Sequence, residues 1–537
     1  MKLVSVVEMK AIEQEANEKG VSYDTMMERA GIGVARIIRR FYSPDMENTI
    51  TALVGSGNNG GDALVALTEL KRYGWKTKAY LAGDRKDDQR LEDYKTENGE
   101  VEFYKKDKNF ETLRTWLSDS DVLLDGLLGT GFRLPLKSPY KEILHTVQIF
   151  PGRYKTIAVD CPSGVDCDNG ETAEESLTAD LTICMQAVKV GLLSFPAYQC
   201  VGLLEVVDLD LPADLKSEEA VKREVANSDF VRNLLPKRPL QAHKGTFGTA
   251  LIVAGSINYP GAAFFAGMAS YRIGVGLVRM AVPGPIYTGL VSQFPEATWL
   301  LLPHDLGVIQ SKAAAVVQNS LDKVTALLLG PGWGREETTR EFLEKIISGK
   351  SRSEREKNGI GFVMMENDEE EILTSNLPPM VIDADGLRLL EKLKNWEQCL
   401  PPETILTPHP GEMAVLTNLT IQDIQTRRLE IASEFAEKWG HIIVLKGALT
   451  IIAAPDGRLS IVPVANPALA RAGTGDVLAG IITGMLAQGV KPFDSAVAGV
   501  WIHAQAGIEA SEKVGHPAAV LAGDVLNAIP TVLASLG

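Results

Sequence analysis

Two doubly wound α/β domains in tandem are the fold class this sequence predicts, and three observations carry that reading. Short β-rich runs alternate with helical stretches twice, first over residues 49–207 and again from 249 towards the C-terminus. Many of the β-rich runs end in glycine and oxygen-bearing side chains, as ligand loops at the carboxyl ends of parallel strands do. The 537 residues are 45% hydrophobic and 23% charged, ordinary globular composition with material for more than one large core.

Residues 1–48 read as helices, with apolar spacing through Met9, Ile12 and Ala16 and again through Met26, Met27, Ala30, Val34, Ile37 and Ile38. A strand over 49–54 leads into a glycine-rich loop at 55–62 and a helix over 63–73 that Gly74 closes. Further strands are expected at 76–81, 101–104, 121–125, 156–160, 180–184 and 203–207. Residues 211–240 change character and are taken as a linker, with the domain boundary between 217 and 218. The second series has strands at 249–254, 326–330, 380–383, 404–406, 441–446 and 449–453, and Asp456-Gly457 signals a hairpin. The charged interruption 351–376 reads as a surface excursion.

Net charge is −15, with 54 basic and 69 acidic residues, which argues against nucleic acid and anionic membrane surfaces as partners. The five cysteines show neither paired nor metal-type spacing, so reduced thiols in a cytoplasmic protein are expected. The N-terminus has no apolar core of signal-peptide length, and no apolar run is long enough to span a bilayer. A homo-oligomer is expected.

In the first half, Gly55-Ser56-Gly57-Asn58-Asn59-Gly60 matches the dinucleotide fingerprint, with Asp84 near the expected ribose-binding position. Asn58, Asn59 and Asp62 add amide and carboxylate oxygens to that loop. Oxygen donors recur at two more strand ends, Asp125 and the Asp160 to Ser163 turn. Between them the run from Gly129 through Gly131 to Pro135 offers a second anion cradle. Hard oxygen donors without His or Cys suit an alkali or alkaline-earth ion. Caps and turn formers are the competing reading for Asn59, Asp125 and Ser163 taken singly.

The second half centres on Gly473-Thr474-Gly475-Asp476, followed by apolar residues at helical spacing from Val477 to Leu486. A tight glycine turn opening into a helix directs free N–H groups and the positive helix end at whatever lies above it, a place suited to phosphate. An aspartate there can take a proton from an attacking hydroxyl. An ordinary helix start with Asp476 as a first-turn acid is the alternative. Small residues around Gly261 and Ala262, the bare run Gly330-Pro331-Gly332-Trp333-Gly334, the stiff His409 turn between prolines, and Lys446-Gly447 supply further ligand-contact candidates. No Gly-x-x-x-x-Gly-Lys-Ser/Thr loop is present, which excludes a P-loop NTPase.

These motifs carry a resemblance. The run from Leu53 to Asp62, the Asp125 to Gly131 segment, Val159 to Gly164 and Ala187 to Leu192 resemble the YjeF N-terminal family of NAD(P)H-hydrate epimerases over roughly residues 1–210. The resemblance implies a Rossmann-like domain in which Asn58, Asn59, Gly60, Gly61, Asp62, Gly129, Thr130, Gly131, Phe132, Arg133, Leu134, Pro135 and Asp160 hold the hydrated nucleotide. Asn59, Asp125 and Ser163 would hold K+, and Asp160 would do the acid–base work, with Lys189 a second candidate. His243-Lys244-Gly245, the Gly330 to Gly334 run, Asp383-Ala384-Asp385, the His409 turn, Lys446-Gly447 and Gly473 to Asp476 resemble the NAD(P)H-hydrate dehydratase family, ribokinase-like, over roughly 225–537. Here Ala470-Arg471-Ala472 stands where relatives often have a further glycine, and 351–376 looks inserted.

By that resemblance Ala262, Gly334, His409 and Asp476 contact substrate, while Lys446, Gly447, Ala448, Leu449, Thr450, Gly473, Thr474 and Gly475 hold ADP or ATP with Mg2+. The implied function is repair of the hydrates NADHX and NADPHX: epimerisation of R and S forms, then ADP- or ATP-dependent dehydration of the S form with Asp476 as catalytic base. A ribokinase-like kinase of a vitamin precursor and a non-catalytic nucleotide-binding scaffold are the alternatives.

Overall fold

A computed structural model describes residues 1–42, 48–150, 152–348 and 377–537, and the expected excursion at 351–376 lies outside them. The chain divides into two compact units, Met1–Glu224 and Val225–Gly537.

The first unit is built on seven strands: β1 (Thr49–Val54), β2 (Lys76–Leu81), β3 (Glu100–Phe103), β4 (Val122–Gly126), β5 (Lys155–Val159), β6 (Leu181–Met185) and β7 (Leu203–Val207). They lie in the order β3-β2-β1-β4-β5-β6-β7, every neighbouring pair parallel. A fully parallel sheet needs cover on both faces, and the strand alternation supplies it. Ile50, Ala52 and Val54 of β1 join one core with α1 (Val6–Glu18), α2 (Tyr23–Phe41) and α3 (Asn58–Arg72). Leu53 of the same strand joins the opposite core with α4 (Glu111–Asp119) and α5 (Tyr140–Ile149). The strand order reverses between β1 and β4, which opens a crevice at their carboxyl ends.

In the second unit, nine strands between Thr249 and Ile461 run β16-β15-β14-β13-β12-β11-β8-β9-β10 across the sheet. They are β8 (Thr249–Val253), β9 (Leu277–Pro283), β10 (Thr298–Leu302), β11 (Ala326–Leu329), β12 (Met380–Ile382), β13 (Ile405–Leu406), β14 (Ile442–Leu445), β15 (Ile451–Ala453) and β16 (Leu459–Ile461). Pairing is parallel from β10 to β14 and antiparallel for the β14–β15 and β15–β16 pairs, with the Asp456-Gly457 turn closing the last hairpin. One face is covered by α6 (Pro260–Arg272), α10 (Thr474–Ala487), α11 (Pro492–Val514) and α12 (Ala522–Ser535). The other helices that matter to the site are α7 (Asp385–Leu390), α8 (Pro410–Thr417) and α9 (Arg428–Trp439). Helix α10 lies so close on α6 that a Cβ at Gly480 would stand 2.2 Å from the Ala266 carbonyl.

Three features differ from the sequence expectation. Strands β9 and β10 were not anticipated, although glycine or proline bounds both, because a short apolar run does not by periodicity alone tell a strand from a buried helix. The stretch 211–240 is no open linker: Leu215 and Val221 are buried in the first core, Ala226 and Val231 in the second. Helix α3 starts at Asn58, not at 63, because extended Gly57 already serves as its N-cap. Asn58 to Asp62 are therefore the first turn of a helix, not a loop.

Candidate active sites

In the second unit, four successive parallel strands deliver the predicted residues from their carboxyl ends. The Gly330 to Gly334 run follows β11, Asp383 follows β12, His409 follows β13 and Lys446 follows β14. Lys446 Nζ donates to Asp383 Oδ1 at 2.7 Å and lies 3.8 Å from Glu412 Oε2. The Thr407 hydroxyl donates to the same Asp383 oxygen at 2.7 Å. Gly334 N donates to Asp385 Oδ2 at 3.0 Å, which ties the β11 loop to α7. His409 caps α8: its Nδ1 accepts from Gly411 N at 2.9 Å and Glu412 N at 3.3 Å. Burial, aided by the charges of Lys446 and Arg388, lowers the His409 imidazole to about 4, so the ring is neutral and its Nε2 carries the proton.

Asp476 is a first-turn residue of α10, entered through Gly473, whose φ of +90° favours glycine. Burial pushes its carboxyl up to about 7; Asp383 and Asp385 add to the shift and Lys446 opposes it. A carboxyl that ionises near neutrality and sits beside free helix N–H groups can accept a proton at physiological pH. At Gly475 a Cβ would meet only Lys446 Nζ, at an ordinary contact distance of 3.8 Å, so the structure leaves room for a side chain there.

Beside this turn lies a cavity of about 430 Å³, within the range of nucleotide-sized sites. Lys446, Gly447, Ala448, Thr450, Thr474 and Gly475 line it, together with Asn466 and His503. Leu449 points elsewhere, buried in its own turn with φ +55°. Ala262 packs at the Gly330 run, where a Cβ on Gly332 would meet it at 2.7 Å. His243 is an exposed cap of a 3₁₀ turn and lines no described cavity. The sequence reading did not single out Arg428, which donates to the Leu445 carbonyl at 3.0 Å and supports the Lys446-Gly447 bend. A lone arginine on an otherwise ordinary amphipathic helix leaves no motif to find.

The Lys446–Asp383 pair is deeply buried, with side-chain exposures of 17% and 2%. Lys446→Met strands the Asp383 carboxylate and is expected to cost about 3–5 kcal/mol, read as a fall in the denaturant midpoint. The same change removes the cation that holds Asp476 down, so the Asp476 carboxyl titrates higher, measurable by infrared titration.

The first unit gathers its predicted residues at the β1–β4 crevice. Ser163 Oγ donates to Asp125 Oδ1 at 2.6 Å and Ser163 N to Oδ2 at 2.8 Å. Asn59 Nδ2 donates to the Leu128 and Val159 carbonyls at 3.1 and 2.7 Å. A Cβ on Gly129 would lie 2.6 Å from Asn59 Oδ1, so that glycine is required by close approach. Burial raises the Asp125 carboxyl, against its hydrogen bonds from Ser163. A fully buried carboxylate among hydroxyl, amide and carbonyl oxygens is a donor set of the kind that suits a hard alkali or alkaline-earth cation.

Asp160, just after β5 with φ +62°, is ion-paired to Lys189 and accepts from Met185 N at 3.1 Å. It opens on a cavity of about 340 Å³ lined also by Asn58, Asn59, Asp62, Thr130 and Glu13. Not all the predicted residues share it. Phe132, Arg133, Leu134 and Pro135 line a neighbouring depression with Leu136 and Tyr140. Gly60 and Gly61 make room for neighbours: Cβ atoms there would meet the Gly55 carbonyl at 2.1 Å and Met27 Sδ at 2.5 Å. Arg85 lies over this glycine turn, bonded to the Gly55 and Gly57 carbonyls, while Asp84 pairs with Lys105 on the surface. None of the five cysteines is in a disulfide. No helix among the described residues is long and apolar enough to cross a membrane.

Comparison with known proteins extends over both units. The family described as NAD(P)H-hydrate dehydratase matches residues 250–352 and 360–531. The family described as YjeF-related protein N-terminus matches residues 23–191. A bifunctional NAD(P)H-hydrate repair enzyme of Moorella thermoacetica is 33% identical over 100% of this chain and 97% of its own. One of Thermofilum pendens is 31% identical, again over 100% of this chain and 97% of its own. The crystal structure of an ADP/ATP-dependent NAD(P)H-hydrate dehydratase from Bacillus subtilis, co-crystallised with ATP/Mg2+, is 30% identical with a TM-score of 0.48, covering 58% of this chain and 99% of that one.

Proposed function

The chain belongs to the family of bifunctional NAD(P)H-hydrate repair enzymes, and from that premise we propose how its two halves divide the work. The enzyme returns hydrated NADH and NADPH to the reduced coenzymes. The first unit, Met1–Glu224, interconverts the R and S epimers; the second, Val225–Gly537, dehydrates the S epimer at the expense of ADP or ATP. The observation that supports the dehydratase reading best is Asp476, whose carboxyl is pushed to about 7 at the mouth of the α10 turn.

In the second unit, nucleotide would occupy the cavity beside Lys446 to Thr450, and Mg2+ bound with it would supply charge to neutralise its phosphates. Asp476 takes the proton of the C6 hydroxyl as that oxygen attacks the terminal phosphoryl group. The backbone N–H groups of Gly473, Thr474 and Gly475 stabilise charge on the group in transfer. Lys446 stays protonated against Asp383 and Glu412 and balances that charge. Neutral His409, with Gly334 and Ala262, positions the hydrated ring. Push from the ring nitrogen then breaks the C6–O bond and expels phosphate, leaving a C6=N1 iminium; loss of a C5 proton to solvent returns the pair to N1 and restores the C5–C6 double bond.

In the first unit, Asp160 is the acid–base group at C6, with Asn58, Asn59, Asp62 and Thr130 around the nucleotide. Asn59, Asp125 and Ser163 would hold K+, which supplies fixed positive charge near the substrate phosphates. NADHX and NADPHX are the substrates.

The decisive assay incubates the enzyme with hydrated NADH, with and without ADP or ATP. Recovery of dihydronicotinamide absorbance with one phosphate released per turnover is expected only with nucleotide. A phosphorylated product that persists would instead favour a small-molecule kinase.

A further inference from the structure

The cavity of the first unit holds more proton-transfer chemistry than Asp160 alone. Lys189 is buried, and its ammonium donates to Asp160 Oδ1 and to the Met185 and Ala187 carbonyls, each of the latter at 3.2 Å. An ammonium has three N–H bonds, and all three are engaged. Burial pulls Lys189 down, but the Asp160 carboxylate outweighs it and holds the lysine above its ordinary value. Lys189 is therefore a fixed counter-ion with no proton to deliver. Both side-chain bonds recorded for Asp160, from Lys189 and Met185 N, end on Oδ1.

Glu13 lines the same cavity from α1, on the stripe with Val6, Met9 and Lys10. That helix is held firmly at its start: Ser5 and Glu8 form a capping box, and Val6 N donates to Asp168 Oδ1 at 2.7 Å. Burial raises the Glu13 carboxyl; Lys189 lowers it and Asp160 raises it further. The charged groups facing it across the cavity and on its own helix are Lys10, Asp24, Asp62, Arg90, Asp160 and Lys189. Asp62 is also driven upward, chiefly by burial, but is almost wholly enclosed at 6% exposure, whereas Glu13 is only half-buried and can exchange protons with water.

We propose that Glu13 is the second catalytic acid–base group of the epimerising site, working with Asp160 on C6; this rests on the epimerase reading of the first unit. Protonated Glu13 gives its proton to the C6 hydroxyl. The C6–O bond breaks and water leaves as the N1 lone pair forms the C6=N1 iminium bond. A water adds to C6 from the other face, the iminium pair returns to N1, and Asp160 takes the proton of the added water. The pair ends with Glu13 ionised and Asp160 protonated, and it resets by the reverse cycle or through solvent at Glu13.

The test measures epimerisation of R-NADHX by the full chain without ADP or ATP, the epimers being separated by chromatography. Glu13→Gln is expected to lower kcat about 100-fold with little change in KM. The wild-type rate falls at alkaline pH as Glu13 loses its proton, and Glu13→Gln lacks that limb. Glu13→Asp, which keeps a titrating carboxyl, is expected to retain the limb with a reduced rate, and it serves should the Gln variant fail to fold. Wild-type kcat in Glu13→Gln, a rise in KM alone, or an alkaline limb absent from Glu13→Asp would each overturn the proposal. A wild-type chain that does not epimerise at all would instead reject the reading of the first unit.

Discussion

Asp476→Ala lowers kcat for dehydration by about two to four orders of magnitude while nucleotide binding and epimerisation persist. The size of the effect follows from the residue's place. Its carboxyl is raised to about 7 by burial first and by Asp383 and Asp385 next, with Lys446 opposing. A base must be ionised to act, so the wild-type dehydration rate rises with pH through about 7 and then levels. Stability has the opposite sign. The ordinary value is 3.8 and the folded value about 7, so the proton favours the folded state, and stability is lost as pH rises through that window. Asp476→Asn removes that loss and is expected to stabilise the second unit at pH above 7 by up to about 4 kcal/mol. The measurement pairs steady-state kinetics and nucleotide titration with denaturation at two pH values. Equal loss of dehydration, nucleotide binding and epimerisation would reject the role given to Asp476.

Asp160→Asn is the second large effect, and it acts on the first unit. Epimerisation is expected to fall by about two to four orders of magnitude, while dehydration of the S epimer continues. Asparagine nearly matches the shape of aspartate but leaves the Lys189 ammonium, 1% exposed, with carbonyl partners only. Stranding a buried charge costs about 3–5 kcal/mol, so the first unit also unfolds at lower denaturant. Asp160→Asn combined with Lys189→Met separates the two consequences: stability recovers and epimerisation does not. Recovery of epimerisation in the double variant would show that Asp160 acts only by neutralising Lys189.

Much of the candidate site was legible because the chemistry proposed for it is written in contiguous runs. Gly473 to Asp476, the His409 turn and the Asp125 and Asp160 strand ends each combine backbone permission with a reacting group within a few residues. The strands that carry them were legible for a related reason, since runs such as Thr49–Val54 and Ala326–Leu329 are buried on both faces and are β-branched or apolar throughout, small alanines included. The groups that escaped are those whose role depends on distant partners. Arg85 over the Gly55 turn, in the loop after β2, and Arg428 and Glu13 on ordinary helices look like surface charges until the chain is folded.

What the sequence determined by itself is the alternation of strand and helix, the strand-end position of the glycine and acidic motifs, and the class of reaction they suit. Periodicity and backbone sterics are local properties, and they survive without knowledge of the fold. What only the tertiary structure decided is charge state and membership. Lys189 has every N–H committed, His409 is neutral and Asp476 ionises near 7. Thr130 faces the Asp160 cavity, while Phe132 to Pro135, two residues on, line another. Burial and electrostatic coupling between segments tens of residues apart set these properties, and no short window of sequence contains them.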